Sequence, residues 1–129
     1  MLAIDTNVLV RLVVADEPRQ ARAARDLLDG EQVLIPTTVL LEADWVLRSV
    51  YGLGRLEALE DLGAVCGLPG VTLAEPDVVA CALAWAKGGM DFADALHLAA
   101  AEDADAFVTF DQGLAKSAPE SATPTIRLL

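Results

Sequence analysis

Several kinds of residue are scarce in this 129-residue chain, and each shortage narrows what the protein can be. Two cysteines and one histidine are too few for a disulfide framework or for a zinc site built on thiolates and imidazoles. Cys66 and Cys81 lie in apolar segments, so we expect small buried thiols in a reducing compartment, which favours the cytoplasm. No apolar run approaches the length of a bilayer span and no cationic region precedes one, so we expect neither membrane insertion nor export.

Basic residues are also scarce, because nine lysines and arginines stand against twenty aspartates and glutamates. A chain with a formal net charge of −11 repels nucleic acid unless its charges are segregated or a cation neutralises a cluster of acids. The only local concentration of positive charge is formed by Arg19, Arg22 and Arg25, which recur every three residues in a predicted helix. Such spacing is most simply that of a solvated helix face.

Hydrophobic residues, in contrast, make up 54% of the chain, enough for one domain covering residues 1–129. Short apolar runs alternate with longer helical patterns, which predicts an α/β fold with a central parallel sheet of four to five strands flanked by helices on both faces. The strands are predicted just before Asp5 and at residues 33–35, 71–73 and 106–110. The helices are predicted at residues 8–14, 18–28, 37–51, 54–67, 76–87 and 91–101.

Several side chains have expected places within these helices. Thr37 or Thr38 supplies an N-cap for the third helix. Leu56 belongs to the predicted buried line of the fourth helix, and Trp45 reads as a core or subunit-contact residue. The helix at 78–86 is apolar almost all round, so we expect part of its surface to form a homodimer contact.

Acidic residues follow two of the predicted strands. Asp5 comes directly after the first apolar run, and Asp111 follows the run that ends at Phe110. In open α/β sheets ligands bind in the crevice outside the carboxyl ends of the strands, which makes both aspartates candidate site residues. The alternative for Asp5 is purely structural, because Asp, Thr and Asn are all good N-caps and a helix follows.

Two further acids lie near the starts of helices. Glu42 falls in the first turns of the helix after the second strand, on the same predicted rim as Asp5. Asp94 lies three residues after Asp91, in a segment that is otherwise apolar as far as Ala101. The two acids could be an N-cap and its capping-box acid. A half-buried carboxylate at Asp94, however, needs a compensating partner. Four carboxylates in one crevice repel one another without a cation, and oxygen donors favour Mg²⁺ or Mn²⁺ over zinc. His97 is left out of this site.

These residues carry a resemblance to a known family. The chain resembles PIN-domain proteins, most closely the VapC-type toxins of toxin–antitoxin pairs, over nearly its whole length. The resemblance rests on the order and spacing of four segments: Ile4-Asp5-Thr6-Asn7, the helix carrying Glu42, Asp91-Phe92-Ala93-Asp94-Ala95-Leu96-His97 and Thr109-Phe110-Asp111. It implies a single PIN domain with an acidic metal site made by Asp5, Glu42, Asp94 and Asp111, and polar support from Thr6, Asn7 and Thr109.

The resemblance also implies an activity and partners. The expected protein is an Mg²⁺- or Mn²⁺-dependent ribonuclease that hydrolyses phosphodiester bonds, acts as the toxin of such a pair, forms a homodimer and is inhibited by a cognate antitoxin. Arg11, together with Arg19, Arg22 and Arg25, could then hold the RNA backbone. This chain departs from some family members in one position that bears on the number of bound metal ions. Those members carry a further acid just after the one that corresponds to Asp111, where this chain has Gln112. A second ion would therefore depend on Asp91.

Two other functions are consistent with the same residues. An acidic cluster can serve a non-catalytic domain as a docking site for arginine side chains. A strand followed by aspartate also resembles phosphatases that use an aspartyl nucleophile, although those need a second acid two residues on, where this chain has Asn7. Metal-dependent cleavage of RNA by the purified protein would separate these functions.

Overall fold

A computed structural model describes all 129 residues. The protein has the predicted α/β fold, with seven helices and five strands. In chain order the elements are β1 (Leu2–Ala3), α1 (Thr6–Val13), α2 (Pro18–Gly30), β2 (Val33–Ile35), α3 (Thr37–Ser49), α4 (Arg55–Cys66), β3 (Val71–Leu73), α5 (Pro76–Lys87), α6 (Phe92–Ala100), β4 (Ala106–Thr109), α7 (Gln112–Ser117) and β5 (Thr125–Leu128). The chain divides into two compact units, Met1–Pro76 and Asp77–Leu129, each described below by itself.

The first unit is built on three parallel strands in the order β1, β2, β3. Parallel neighbours need crossover connections, which α1 with α2 and α3 with α4 supply. The core consists of the apolar positions that helical spacing brings to one side, led by Leu9, Leu40, Leu47, Leu59 and Leu62, all at most 1% exposed. Because the strands are parallel, the residues that follow β1 and β2 lie at the same end of the sheet.

The second unit contains α5, α6, α7 and two parallel strands, with Ala106 of β4 paired to Thr125 of β5. Phe92, Met90 and Leu98 are completely or almost completely buried and form the centre of its core. Gly89 follows α5 with a φ of 128°, a conformation that side chains with a Cβ disfavour, so the turn into α6 depends on glycine there.

The sheet differs from the predicted one of four to five strands. The five strands form two separate hydrogen-bonded sheets, one of three strands and one of two. The partner of β4 is β5, which the apolar runs did not reveal because Thr-Ile-Arg-Leu alternates polar and apolar residues over only four positions and is largely exposed. The prediction of one domain over residues 1–129 remains a prediction.

Two side-chain predictions were wrong, and the prediction that Trp45 is a core or subunit-contact residue keeps only its second alternative. Pro36, without a side-chain hydrogen bond, holds the N-cap position of α3, while the hydroxyl of Thr37 donates to Glu75 Oε1 at 2.6 Å. Leu56 is 55% exposed because it lies in the first turn of α4, ahead of the buried line that starts at Ala58. Trp45 is 60% exposed and is therefore not a core residue.

The two cysteines are free thiols. They are half-buried, less than the complete burial that their apolar neighbours indicated. Burial raises the pKa of Cys66 to about 11 and also raises the pKa of Cys81, so neither is a thiolate at neutral pH. None of the helices is long and apolar enough to span a bilayer.

Candidate active site

Asp5 joins the end of β1 to the start of α1. Ile4 before it is 5% exposed, whereas Asp5 itself is exposed, so the chain passes from core to solvent at this carboxylate. Its Oδ1 accepts a hydrogen bond from the backbone N–H of Val8 at 3.2 Å and caps α1. The structural role predicted for Asp5 is therefore present, and its second oxygen, Oδ2, remains available for a ligand.

Thr6 connects this helix start to α3. It is 9% exposed, and its hydroxyl donates a hydrogen bond to Glu42 Oε1. Glu42 is exposed, in the second turn of α3, yet this bond from a buried hydroxyl fixes where its carboxylate lies. The structure thus brings Glu42 to the residue next to Asp5, across 36 positions of sequence.

The predicted arginines differ in their environment. Arg11 is half-buried; its Nη1 donates to Tyr51 at 2.7 Å and to Asp16 at 2.9 Å, and its Nε donates to Gln20 at 2.8 Å. The Tyr51 hydrogen bond, helped by the charge of Asp16, raises the pKa of Arg11 against the opposing effect of burial. The other three, Arg19, Arg22 and Arg25, are exposed on α2, and Asn7 is exposed on α1.

Asp91 and Asp94 lie at the start of α6 in the second unit. Asp91 is the N-cap, because its Oδ2 accepts from the backbone N–H of Asp94 at 3.2 Å. Asp94 is half-buried, in agreement with its apolar neighbours in the sequence. Burial raises the pKa of Asp94, and the charges of Asp91 and Asp111 raise it further, while His97 opposes them. These three aspartates therefore form one repulsive acidic group.

Asp111 links β4 to α7. Its Oδ1 accepts from the backbone N–H of Leu114 at 3.0 Å, and its own N–H donates to Thr109 Oγ1 at 3.0 Å. A Cβ at Gly113 would lie 3.1 Å from Asp111 Oδ1, tighter than usual packing, so glycine at that position leaves the carboxylate room. Sequence reasoning missed Gly113, whose only signal was a glycine inside a short helix.

A second missed residue is Asp44, on α3. It is 2% exposed and pairs with Arg48, whose Nη2 lies 2.8 Å from Asp44 Oδ2. The available signal was the spacing of an acid and an arginine four residues apart, which on a helix brings the two side chains together. Both residues belong to the helix that carries Glu42.

The donor chemistry suits a hard divalent cation. In the first unit Asp5, and in the second unit Asp111, keeps one carboxylate oxygen free of protein hydrogen bonds. Burial, and then the charges of Asp91 and Asp111, raise the pKa of Asp94. Mg²⁺ and Mn²⁺ prefer such oxygen ligands and relieve such repulsion. No three His, Cys, Asp or Glu side chains converge closely enough to enclose an ion by themselves.

Comparison with known proteins adds one finding. Residues 2–118 match the family model described as the PIN domain, which covers most of both units. A comparison with curated protein sequences finds no significant match.

Proposed function

Because the chain belongs to the PIN-domain family, whose fold is that of a nuclease, we propose that it is a metal-dependent ribonuclease that cleaves phosphodiester bonds within RNA. The observation that carries this proposal is the match of residues 2–118 to the PIN-domain family model. The placement of the acids supports it, because Asp5 and Asp111 follow strands and Asp91 and Asp94 begin a helix, where carboxylates can offer oxygens to a cation.

The proposed ligands are Asp5, Glu42, Asp94 and Asp111, with Asp91 as a further acid for a second ion. When bound, Mg²⁺ or Mn²⁺ supplies Lewis-acid stabilisation of the phosphoryl and leaving oxygens and acidifies the attacking water. The chain's own residues position these ligands: backbone N–H groups hold Asp5 and Asp111, and Thr6 holds Glu42. Thr109 further fixes the backbone at Asp111.

The exposed arginines of α2 are the proposed contacts to the RNA backbone. Arg19, Arg22 and Arg25 project from one helix and make no ion pair with the protein's many acids. Each phosphate that they neutralise releases counterions, which favours binding to an RNA despite the net charge of −11. Arg11 contributes less to this surface, because two of its three guanidinium nitrogens already donate to the protein.

Cleavage of single-stranded RNA by the purified protein tests the proposal. We expect cleavage with Mg²⁺ or Mn²⁺, none with a chelator, and at least about a hundredfold loss in Asp5→Asn. Asparagine is as good an N-cap as aspartate, so this variant removes the charge and keeps α1 capped. Glu60→Gln, on the exposed side of α4, is the matched control and should cleave normally. Cleavage that persists in chelator would contradict the proposal.

Thr6→Val is expected to act through Glu42. Valine has nearly the shape of threonine but cannot donate, so Glu42 would lose the bond that fixes its carboxylate. We expect Mn²⁺ affinity to fall about tenfold and cleavage to fall with it, while Thr6→Ser, which keeps the hydroxyl, retains both. Calorimetric titration of the two variants measures the difference; equal affinities would show that Thr6 only packs.

The proposed biological role is that of the toxin of a toxin–antitoxin pair. Three exposed apolar side chains, Trp45, Val50 and Leu56, support a partner surface on α3 and α4, since they are 55–65% exposed. We propose that a small antitoxin covers this surface with an apolar helix and brings an arginine to Asp5, Glu42 or Asp94, where its guanidinium replaces the cation. Added Mn²⁺ should then weaken inhibition, and the antitoxin's arginine-to-alanine variant should bind but inhibit poorly.

A homodimer is the second proposed assembly. Helix α5 buries Val79, Ala82 and Ala86, while Val78, Leu83 and Trp85 stay half-buried and retain apolar surface for a second copy. Sedimentation at micromolar concentration should give a dimer, and a monomer at moderate salt would count against it.

A further inference from the structure

A pocket lies between α1 and α2, beside Asp5. Its volume of about 560 Å³ is in the range of small-ligand sites, and only residues of the first unit line it. Asp5 at its edge is a proposed metal ligand, so an occupant of the pocket would lie next to the proposed cleavage site.

Four of the residues that line the pocket are apolar, and two of these are alanines. Val8 from α1 and Ala23, Ala24 and Leu27 from α2 line it, and the alanines leave space where longer side chains would fill it. A surface of this kind suits a flat aromatic ring better than a hydrated ion.

The polar residues that line the pocket include hydrogen-bond donors whose positions are held by other side chains. Arg11 is held by Tyr51, Asp16 and Gln20, and its remaining nitrogen, Nη2, makes no hydrogen bond to the protein. Gln20 accepts from Arg11 with its Oε1, which leaves its amide Nε2 as a donor of two N–H groups. The pocket therefore offers donors that the surrounding network has already oriented, while Asn7 adds an amide at its edge.

We propose that this pocket binds a nucleobase of the RNA substrate, with guanine preferred, and the proposal rests on the ribonuclease function above. An unstacked base has an apolar face for the apolar residues and a polar edge for the donors, as sequence-specific recognition of single-stranded RNA requires. Guanine presents two adjacent acceptors, O6 and N7, whereas adenine and cytosine place an amino donor on that edge. A phosphate is the poorer occupant, since Asp5 would repel it.

The neighbouring surface fits the same RNA strand. A second surface site along α2 is lined by Arg19, Arg22 and Asp26 and shares Ala23 with the pocket; its two guanidinium charges outweigh the one carboxylate. One strand can therefore place a base in the pocket and a flanking phosphate on these arginines.

The test measures binding in the absence of metal, so that no cleavage occurs. Single-stranded RNA pentamers UUGUU and UUAUU are titrated into the protein, and the side-chain amide signals of Gln20 and Asn7 are followed by NMR. We expect UUGUU to bind at least about fivefold more tightly. Gln20→Glu keeps the oxygen that accepts from Arg11 and loses the amide donors, so the preference should move toward adenine.

Ala23→Leu fills the pocket and should weaken UUGUU binding about tenfold, whereas Ala64→Leu, an exposed helix position on α4, is the matched control and should not. Equal binding of the two pentamers, with Ala23→Leu unaffected, would overturn the proposal even if the protein cleaves RNA. If, in addition, Ala23→Leu no longer bound the antitoxin, the occupant of the pocket would be a side chain of the antitoxin and not a nucleobase. Guanine-selective binding without cleavage of any RNA would leave the pocket standing and refute the ribonuclease function.

Discussion

Replacing Asp94 by asparagine is expected to abolish cleavage while making the metal-free protein slightly more stable near neutral pH. The activity should fall at least about a hundredfold. Replacing a residue that only hydrogen-bonds to a metal ligand typically lowers activity about tenfold to a hundredfold, and replacing the ligand itself should lower it more. The stability should rise because Asp94 is ionised in a half-buried place beside Asp91 and Asp111. Partial exposure limits that gain to less than about 1 kcal/mol.

The pH dependence gives the sign of this effect. The folded-state pKa of Asp94 is raised above its unfolded value of about 3.9, so the folded state binds this proton more tightly than the unfolded state does. The penalty is absent below that unfolded pKa, grows as pH rises through the folded pKa, and stays constant above it. The stabilities of wild type and Asp94→Asn, measured by urea unfolding, should therefore diverge as pH rises above the unfolded pKa, and their difference should become constant once Asp94 is ionised in the folded state. If the variant instead became less stable than wild type as pH rises, the ionised carboxylate of Asp94 would be stabilising the fold.

The largest stability effect is expected at the Asp44–Arg48 pair. Arg48→Ala leaves the Asp44 carboxylate, 2% exposed, without its guanidinium, and removal of one partner from a buried pair costs 3–5 kcal/mol in well-studied cases. Arg48 is 31% exposed on its side chain, so water replaces part of the interaction and we expect about 2–3 kcal/mol. Urea denaturation of the variant measures this loss.

A double variant separates the charge from the packing. Asp44→Leu with Arg48→Met replaces both partners by apolar side chains and should recover most of the lost stability, because no buried charge is left behind. Glu60→Ala, at an exposed position, is the surface control and should change the free energy of unfolding by less than about 0.5 kcal/mol. A double variant as unstable as Arg48→Ala would mean that the pair's hydrogen bonds, and not the buried charge of Asp44, determine the cost.

Local sequence signals predicted most of the fold. Strands β2 and β3 are short apolar runs bounded by turn residues and were predicted with the boundaries that the structure has. Helix α4, Arg55–Cys66, is one residue shorter at each end than the predicted range 54–67, because Gly54 and Gly67 are its caps. Strand β5 was missed, and the division into two sheets was not predicted. Both depend on which distant strands pair, and a segment of four residues does not encode that pairing.

The candidate site shows the same division. Asp5 and Asp91 were predicted as possible N-caps and both prove to be N-caps, since capping is a local property of sequence. Asp111 was predicted only as the end of a strand, and the short helix α7 that it caps was missed. The bond between Thr6 and Glu42 and the burial of Asp44 depend on how α1 and α3 pack, which no local pattern encodes. The proposed joint role of the four carboxylates combines their predicted places at strand ends and helix starts with the family resemblance.

Calorimetric titration of Mn²⁺ into the metal-free protein is the most direct measurement. If Asp5, Glu42, Asp94 and Asp111 hold one cation, wild type should bind Mn²⁺, and Asp5→Asn and Asp94→Asn should each lower the affinity of that same site at least about tenfold. Glu60→Gln should leave the isotherm unchanged. Absence of Mn²⁺ binding, or binding that survives in either aspartate variant, would contradict the account.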